Sequence, residues 1–382
     1  MTHTLTINLS KIAANWQALN RFVSASVDCG AVVKADAYSL GMAEVLPALY
    51  LAGCRTFYVA NLGEALDARG ILSDVCGSYS DVAIVVLGGC APGEERRFID
   101  CRLVPVLVST AMLERWCAVN GGEHNVLGSI LKLNTGMGRL GLEPAEFDRI
   151  VQEPAYLARA DVRMLMSHLA CADEPEHSLN VEQLHRFRRA LEISSQRYRP
   201  LTASLANSAG VCLGGDYHFN AVRPGLGLYT SFAQAEACGL GLETAVELHL
   251  PVVQVRKLPA GESVGYGATY RAECEARLAV VAGGYADGLF RALSNRAHCW
   301  VSAPGGAGGW RVPVVGRISM DTTIVDISAV PEGVVEEGSR IEFIGAHVPL
   351  DDLAASAQTI NYEILTSLGV RYKRHYIRAN PS

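Results

Sequence analysis

The chain has 382 residues, 49% hydrophobic and 19% charged, with 37 glycines and a formal net charge of -6. This is enough apolar chain for two domains or for one barrel with an addition, and it excludes extended disorder. No Lys/Arg run stands out, which argues against nucleic acid as a partner, and no apolar run approaches the ~18–20 residues of a membrane span.

Eleven cysteines are scattered from Cys29 to Cys299 without a C-x-x-C pair. That pattern suits reduced thiols rather than a disulfide framework or a zinc site. Met1–Ser10 lacks the basic and apolar regions of a signal peptide, so a cytoplasmic location is expected.

From about Leu9 to Cys238, short apolar runs alternate with helix-like segments such as Ser10–Phe22 and Asn180–Ser194. The runs are Ala31–Val33, Thr56–Ala60, Val82–Leu87, Leu103–Val108, Ile130–Leu133, Arg163–Met166, Thr202–Leu205 and Ala221–Leu228. Eight such runs suit a (β/α)8 TIM-type barrel. A doubly wound open sheet is the rival, but no G-x-G-x-x-G follows the first run. Pro47 falls inside the helix expected after that run and weakens the assignment of its start.

After about Leu240 the pattern changes. Thr244–Lys257, Arg277–Val281, Cys299–Val301, Val312–Val315, Thr322–Ile327 and Ile341–Ile344 read as strands, with Gly305–Gly309 as a hairpin tip and few helical stretches before Leu353–Leu368. The expected organisation is a barrel over residues 1–238 followed by a mainly β domain over 239–382.

Ala31-Val32-Val33 runs directly into Lys34, and Tyr38 follows four positions later. A lysine ending a buried strand is desolvated, which disfavours its ammonium form and suits Schiff-base chemistry; the alternative is a lysine snorkelling to water. Further polar residues fall at the ends of the later runs: Lys132, Asn134 and Arg139, then His168, then Asn207 and Ser208, then Arg223 with Gly225. Individually, His168 reads equally well as a hydrogen-bonded rim histidine and Arg223 as a surface cation. Jointly they mark the carboxyl end of a barrel, where catalytic groups gather. Ser208 and Gly225 fall where barrels bind phosphate, and a lysine beside a phosphate site suggests pyridoxal phosphate (PLP).

The sequence resembles the alanine racemases, fold-type III PLP enzymes. The resemblance is carried by Val33-Lys34-Ala35-Asp36-Ala37-Tyr38, Lys132-Leu133-Asn134-Thr135-Gly136-Met137-Gly138-Arg139-Leu140-Gly141, Ser167-His168-Leu169-Ala170, Ala206-Asn207-Ser208 and Val222-Arg223-Pro224-Gly225. It continues through Gly265-Tyr266-Gly267-Ala268-Thr269-Tyr270, Gly283-Gly284-Tyr285-Ala286-Asp287-Gly288, Gly316-Arg317-Ile318-Ser319-Met320-Asp321 and Tyr362. These occur in family order across both halves.

The resemblance implies that Lys34 holds PLP and acts as one base, with Tyr266 of the other subunit of a homodimer as the second base on the opposite face. Without it, Tyr266 reads as a hairpin aromatic covering a sheet. It further implies that Tyr38, Ser208, Tyr362 and the backbone at Gly225 and Leu226 hold the phosphate, that Arg223 faces the pyridine nitrogen, and that Asn207 and His168 line the cofactor, His168 contacting Tyr266. Arg139 and the Met320 backbone would bind the substrate carboxylate, supported by Asp321 and by Lys132 as a carbamate. Tyr285, Tyr362 and Arg317 would narrow the approach. No metal is implied. Ser39-Leu40-Gly41 departs from the family's usual Gly-His-Gly, and Asn134 stands where aspartate is common.

Three functions fit these residues. They are interconversion of L- and D-alanine, to supply peptidoglycan or to consume D-alanine; a serine or broader racemase of the same mechanism; and a PLP-binding protein without turnover.

Overall fold

In the computed structural model, which describes residues 3–77, 81–120 and 127–378, the eight apolar runs form a parallel barrel. With strands numbered along the chain, β1 (Thr4–Asn8) stands apart, and the barrel comprises β2 (Asp28–Cys29), β3 (Ala31–Val32), β4 (Thr56–Val59), β5 (Ala83–Val86) and β6 (Val104–Leu107), then β7 (Ser129–Lys132), β8 (Val162–Met166), β9 (Thr202–Asn207) and β10 (Ala221–Arg223). The sheet order is β2-β10-β9-β8-β7-β6-β5-β4-β3.

Nine segments make eight strands, because β2 and β3 are two halves of one strand interrupted at Gly30. Asp28 and Cys29 pair with Ala221 and Val222, while Ala31 and Val32 pair with Phe57 and Tyr58. Around the break, Gly30 N donates to Val222 O (3.1 Å) and Val33 N to Tyr58 O (2.9 Å), so the first strand bonds the last on one side and the second on the other. Closure leaves no free edge, and the strands are buried on both faces, as their unbroken apolar runs require. A Cβ on Gly30 would stand 2.5 Å from the Tyr58 ring and 2.9 Å from Thr56 O.

The apolar run at Ala221–Leu228 is shorter as a strand than its composition implies. β10 stops at Arg223, Pro224 follows, and Leu226–Tyr229 is a helical turn. Pro47 lies within the helix Met42–Leu51. The helix Leu62–Cys76 starts at Asn61, whose Oδ1 accepts from Glu64 N (3.1 Å), and stops at Gly77 with φ 61°.

Between β3 and Met42 the chain turns the unusual way. Ala35, Asp36, Ala37, Tyr38 and Ser39 all have φ between 52° and 63°, a left-handed turn without a glycine. Each such residue costs about 1–2 kcal/mol relative to right-handed backbone, so the turn must be held from outside. Glu64 Oε1 accepts from Ala35 N (2.8 Å) and Asp36 Oδ1 from Met42 N (2.7 Å).

The second unit is mainly β. Its strands are β11 (Val246–Leu258), β12 (Ser263–Val264), β13 (Tyr270–Arg271), β14 (Ala276–Ala282), β15 (His298–Ser302), β16 (Gly309–Pro313), β17 (Thr322–Asp326), β18 (Arg340–Ile344) and β19 (Lys373–Ile377). One sheet runs β16-β15-β18-β11-β1-β19, and β14 pairs with both β11 and β17. β1 is antiparallel to β11 and parallel to β19, so the chain's first strand joins this sheet.

The division therefore differs from a simple cut at residue 238. Met1–Lys11 and Tyr38–Leu40 group with Glu243–Ser382, and the barrel unit is Ile12–Ala37 with Gly41–Leu242. The physical reason is the edge that β11 offers to β1, whose Leu5 and Ile7 are fully buried. β16 starts earlier than the Val312–Val315 run and ends before it, and the Leu353–Leu368 stretch splits into helices Leu350–Ala357 and Asn361–Thr366 at Gln358, with φ 57°. Among the described residues, no helix is long and apolar enough to cross a membrane.

Gly30→Ala is expected to destabilise the protein by about 1–3 kcal/mol, since the added methyl meets backbone and a buried ring. Denaturant titration of the variant checks this; an unchanged midpoint would refute the close approach at the strand break.

Candidate active site

The carboxyl ends of the barrel strands converge on Arg223, the last residue of β10, which is 4% exposed. Its Nη1 donates to Ser204 Oγ on β9, and its Nη2 to Ser167 O (2.7 Å) and Leu205 O (3.3 Å). Nη2 also meets His168 Nδ1 at 3.4 Å. Arg223 has no ion pair among the described residues, and Nε–H is left without a described acceptor. Burial lowers its pKa to about 10, which leaves the guanidinium charged at neutral pH.

Three more cations surround it. Lys34 follows β3, Lys132 ends β7 and is buried, and Arg139 lies exposed on the loop after β7. Burial and then the positive charges of Arg223, Arg139 and Lys34 lower the Lys132 pKa to about 8. Lys34 is lowered by burial and by Arg139, with Glu64 opposing. His168, just past β8, is pushed down to about 3 by burial and by Arg223, Lys132, Arg139 and Lys34. The histidine is therefore neutral at physiological pH. A guanidinium can only donate, so Nδ1 of His168 accepts and its proton sits on Nε2.

Beside this cluster the backbone forms a cradle. Asn207 ends β9 and caps the helix Ser208–Cys212 by accepting from Gly210 N (2.8 Å). Ser208 Oγ accepts from Gly225 N (2.9 Å) and Gly227 N (3.1 Å) at the start of the turn Leu226–Tyr229. With two donors already pointed at it, the hydroxyl directs its own hydrogen elsewhere.

In the mainly β unit, Tyr266 stands on a turn between Gly265 (φ 76°) and Gly267 (φ 72°) and is 69% exposed. The Arg317 guanidinium lies against that turn, where a Cβ on Gly267 would be 2.8 Å from Nη1. Met320 is 53% exposed; its carbonyl accepts from Ala286 N (3.0 Å), and its own N–H donates to no described group. Tyr285, also exposed, lies one residue from Ala286, and Asp321 accepts from Arg371 Nη1 (2.7 Å). Tyr38 and Tyr362 pair their rings at 5.8 Å; burial and then Tyr362 raise the Tyr38 pKa.

Lys34, Lys132, Arg139, His168, Asn207, Ser208, Arg223, Gly225 and Leu226 thus gather in the barrel unit. Tyr38, Tyr266, Tyr285, Arg317, Met320, Asp321 and Tyr362 belong to the β unit.

Four contributors escape a reading of the sequence by strand ends. Glu64 clasps Ala35 N and, through Oε2, Ala60 N (2.7 Å); the Asn61-x-x-Glu64 capping pattern is its one sequence signal. Ser204 supports Arg223 from inside a strand run, where a serine carries no distinguishing mark, and Ser167 does so through its backbone carbonyl just past β8, which residue type does not reveal. Gln183, fully buried on the helix Ser178–Arg197, donates to Thr135 Oγ1 (3.1 Å) and His168 O (2.9 Å) and accepts from Ala170 N (2.8 Å). A polar residue on the apolar face of that helix is the signal that it has buried partners.

The family model for "Alanine racemase, N-terminal domain" matches residues 7–231, and that for "Alanine racemase, C-terminal domain" matches 245–376. An alanine racemase of Rhodospirillum rubrum is 41% identical over 98% of this chain and 96% of its own length. A catabolic alanine racemase of Agrobacterium fabrum is 41% identical over 99% and 93%. The crystal structure of alanine racemase from Bartonella henselae with covalently bound pyridoxal phosphate superposes with a TM-score of 0.89 at 36% identity, covering 99% of this chain and all of that one. A barrel with this cation-lined rim, continued by a mainly β unit and matched over its whole length, defines an amino-acid racemase, an isomerase. The chain belongs to the alanine racemase family.

His168 is expected to make stability depend on pH. The unfolded chain binds its proton near the ordinary histidine value of 6.5 and the folded chain near 3, so stability should fall as pH is lowered through that interval. Thermal melts of the wild type should lose stability between these limits more steeply than those of His168→Gln. Parallel curves would show that the histidine is not held neutral.

Proposed function

We propose that the chain binds pyridoxal phosphate and interconverts L- and D-alanine, using Lys34 of one subunit and Tyr266 of a second as opposed bases in a homodimer. The observation that carries this reading is Lys34 itself: a strand-end amine with a lowered pKa, grouped with Lys132, Arg139 and Arg223 beside the Ser208 cradle.

The residues suit the cofactor. Four grouped cations, with Glu64 acting against the lowering at Lys34, call for an anionic ligand. Ser208, its oxygen already accepting from Gly225 and Gly227, would donate to the phosphate, joined by Tyr38, Tyr362 and the backbone at Gly225 and Leu226. Asn207 holds the helix behind Ser208 in place. Arg223 has donors left over after Ser204, Ser167 and Leu205, and these would face the ring nitrogen and keep it unprotonated. When bound, the cofactor draws electron density from the substrate and makes its Cα proton removable.

Lys34 takes or returns that proton on one face. Its lowered pKa raises the fraction of free amine at neutral pH, which a base requires. Tyr266 serves the other face; its exposure leaves the hydroxyl available to a second copy of the chain. To act as a base, the phenol needs a donor to stabilise its anion. His168, neutral and with its proton on Nε2, is such a donor, held in that tautomer by Arg223.

Arg139 and the free Met320 N–H would hold the substrate carboxylate, while Tyr285, Tyr362 and Arg317 narrow the approach to favour a methyl side chain. Lys132 is a buried amine among cations, with a pKa of about 8. Its free-amine form can add carbon dioxide, and the resulting carbamate would turn a repulsive neighbour of Arg139 into an attractive one.

Lys34→Ala is expected to abolish both racemisation and the visible absorbance of the covalently held cofactor. Tyr266→Phe should lower kcat for racemisation by about 10²–10⁴, while Cα exchange with solvent deuterium persists for one alanine enantiomer. Mixing the two inactive variants should restore activity, because one site of the mixed dimer then has both native bases. No recovery would rule out a base supplied by the second subunit.

For Lys132, labelled bicarbonate should yield a carbon-13 carbamate resonance that is lost in Lys132→Met. A spectrum without that resonance in the wild type would exclude the modification.

A further inference from the structure

Met320 and Tyr285 lie on different loops of the β unit. Met320 sits just before β17, and Tyr285 follows β14. Backbone bonds lace the loops together: Gly283 N donates to Asp321 O (2.9 Å), Tyr285 N to Ser319 O (3.0 Å) and Ala286 N to Met320 O (3.0 Å). The approach is so close that a Cβ on Gly284 would stand 2.2 Å from Ser319 O.

A side chain from a third segment spans both loops. Arg371, two residues before β19, donates through Nε to Asp287 Oδ1 (2.8 Å) and through Nη2 to Asp287 Oδ2 (3.0 Å). Its remaining arm, Nη1, reaches Asp321 Oδ1 (2.7 Å). Asp287 is fully buried and shares Oδ2 with Gly284 N (2.9 Å), inside the loop that carries Tyr285. Asp321 is the neighbour of Met320. A planar guanidinium offers donors in a rigid fork, so a bidentate grip on one carboxylate also fixes the direction in which the third arm points.

We propose that Arg371 is a positioning residue for the substrate. By joining Asp287 to Asp321 it sets the Met320 N–H and the Tyr285 side chain at a fixed separation, and thereby how tightly the carboxylate and the small side chain are held. Arg371 itself touches neither. The proposal rests on the reading that Met320 and Tyr285 meet the substrate. Because the staple acts on binding and not on either base, its removal loosens substrate recognition and leaves proton transfer in place.

The test compares wild type with Arg371→Met, Arg371→Lys and Asp321→Asn as PLP-loaded enzymes, with thermal melts and cofactor absorbance recorded alongside. In Arg371→Met, KM for L-alanine should rise about tenfold and the preference for alanine over serine in kcat/KM should narrow, while kcat stays within about threefold. Arg371→Lys keeps the charge without the fork and should fall between. Asp321→Asn loosens only the Met320 arm and should raise KM by about threefold with the Asp287 pair intact.

Should Arg371→Met fail to fold because buried Asp287 loses its bidentate partner, Asp321→Asn decides. An unchanged KM and alanine preference in the folded variants overturns the proposal, as does a loss confined to kcat. A wild-type enzyme that does not racemise alanine removes the functional reading and this inference with it.

Discussion

A guanidinium buried without a counter-ion among the described residues organises the barrel rim. Arg223 would be costly to bury unsatisfied, since a desolvated charge without hydrogen bonds is among the most destabilising features a core can hold. Its solution is to spend donors on Ser204 Oγ and on the carbonyls of Ser167 and Leu205, which ties β10 to β9 and to the end of β8. Its positive charge then adds to burial, the larger cause, in keeping His168 neutral and in lowering the Lys132 pKa. One buried cation at the end of the last strand thus acts, together with burial, on the titration of both His168 and Lys132.

Lys34 depends on a second constraint. The backbone after it runs left-handed through five residues that are not glycine, a conformation that local propensity opposes. Glu64 offsets that cost by accepting the Ala35 and Ala60 N–H groups, and it is also the one carboxylate acting on the lysine's pKa. The same side chain therefore holds the strained turn and opposes the lowering of the Lys34 pKa. In the β unit, Ser39 donates its hydroxyl to Thr366 O (3.0 Å) and its carbonyl accepts from Arg374 Nη2 (2.7 Å). These contacts anchor the last residue of the left-handed turn.

Much of the barrel was legible because its signals are local. Strands buried on both faces must be apolar throughout, and each of the eight runs coincides with a strand or the end of one. Polar residues at the carboxyl ends of those runs are conspicuous against that background, which is why Lys34, Lys132, His168, Ser208 and Arg223 could be picked out. β1 and β19 do not stand out as strands in the sequence, although Thr4–Asn8 alternates buried and half-buried residues, because five residues at one end of a chain carry no sign of a partner near the other. Ser204, Ser167, Gln183 and Arg371 escaped for a related reason: each acts through a hydrogen bond to a residue far along the chain.

The sequence by itself determined the order of the barrel strands, the apolar interior of the barrel and the family, all of which depend on residue type and spacing. Only the tertiary structure decided that the first strand breaks at Gly30 to close the barrel, that β1 belongs with the second sheet, which tautomer His168 takes, and which amines lose their protons most readily. Those properties arise from desolvation and from hydrogen bonds across long sequence separations, and neither exists until the chain has folded.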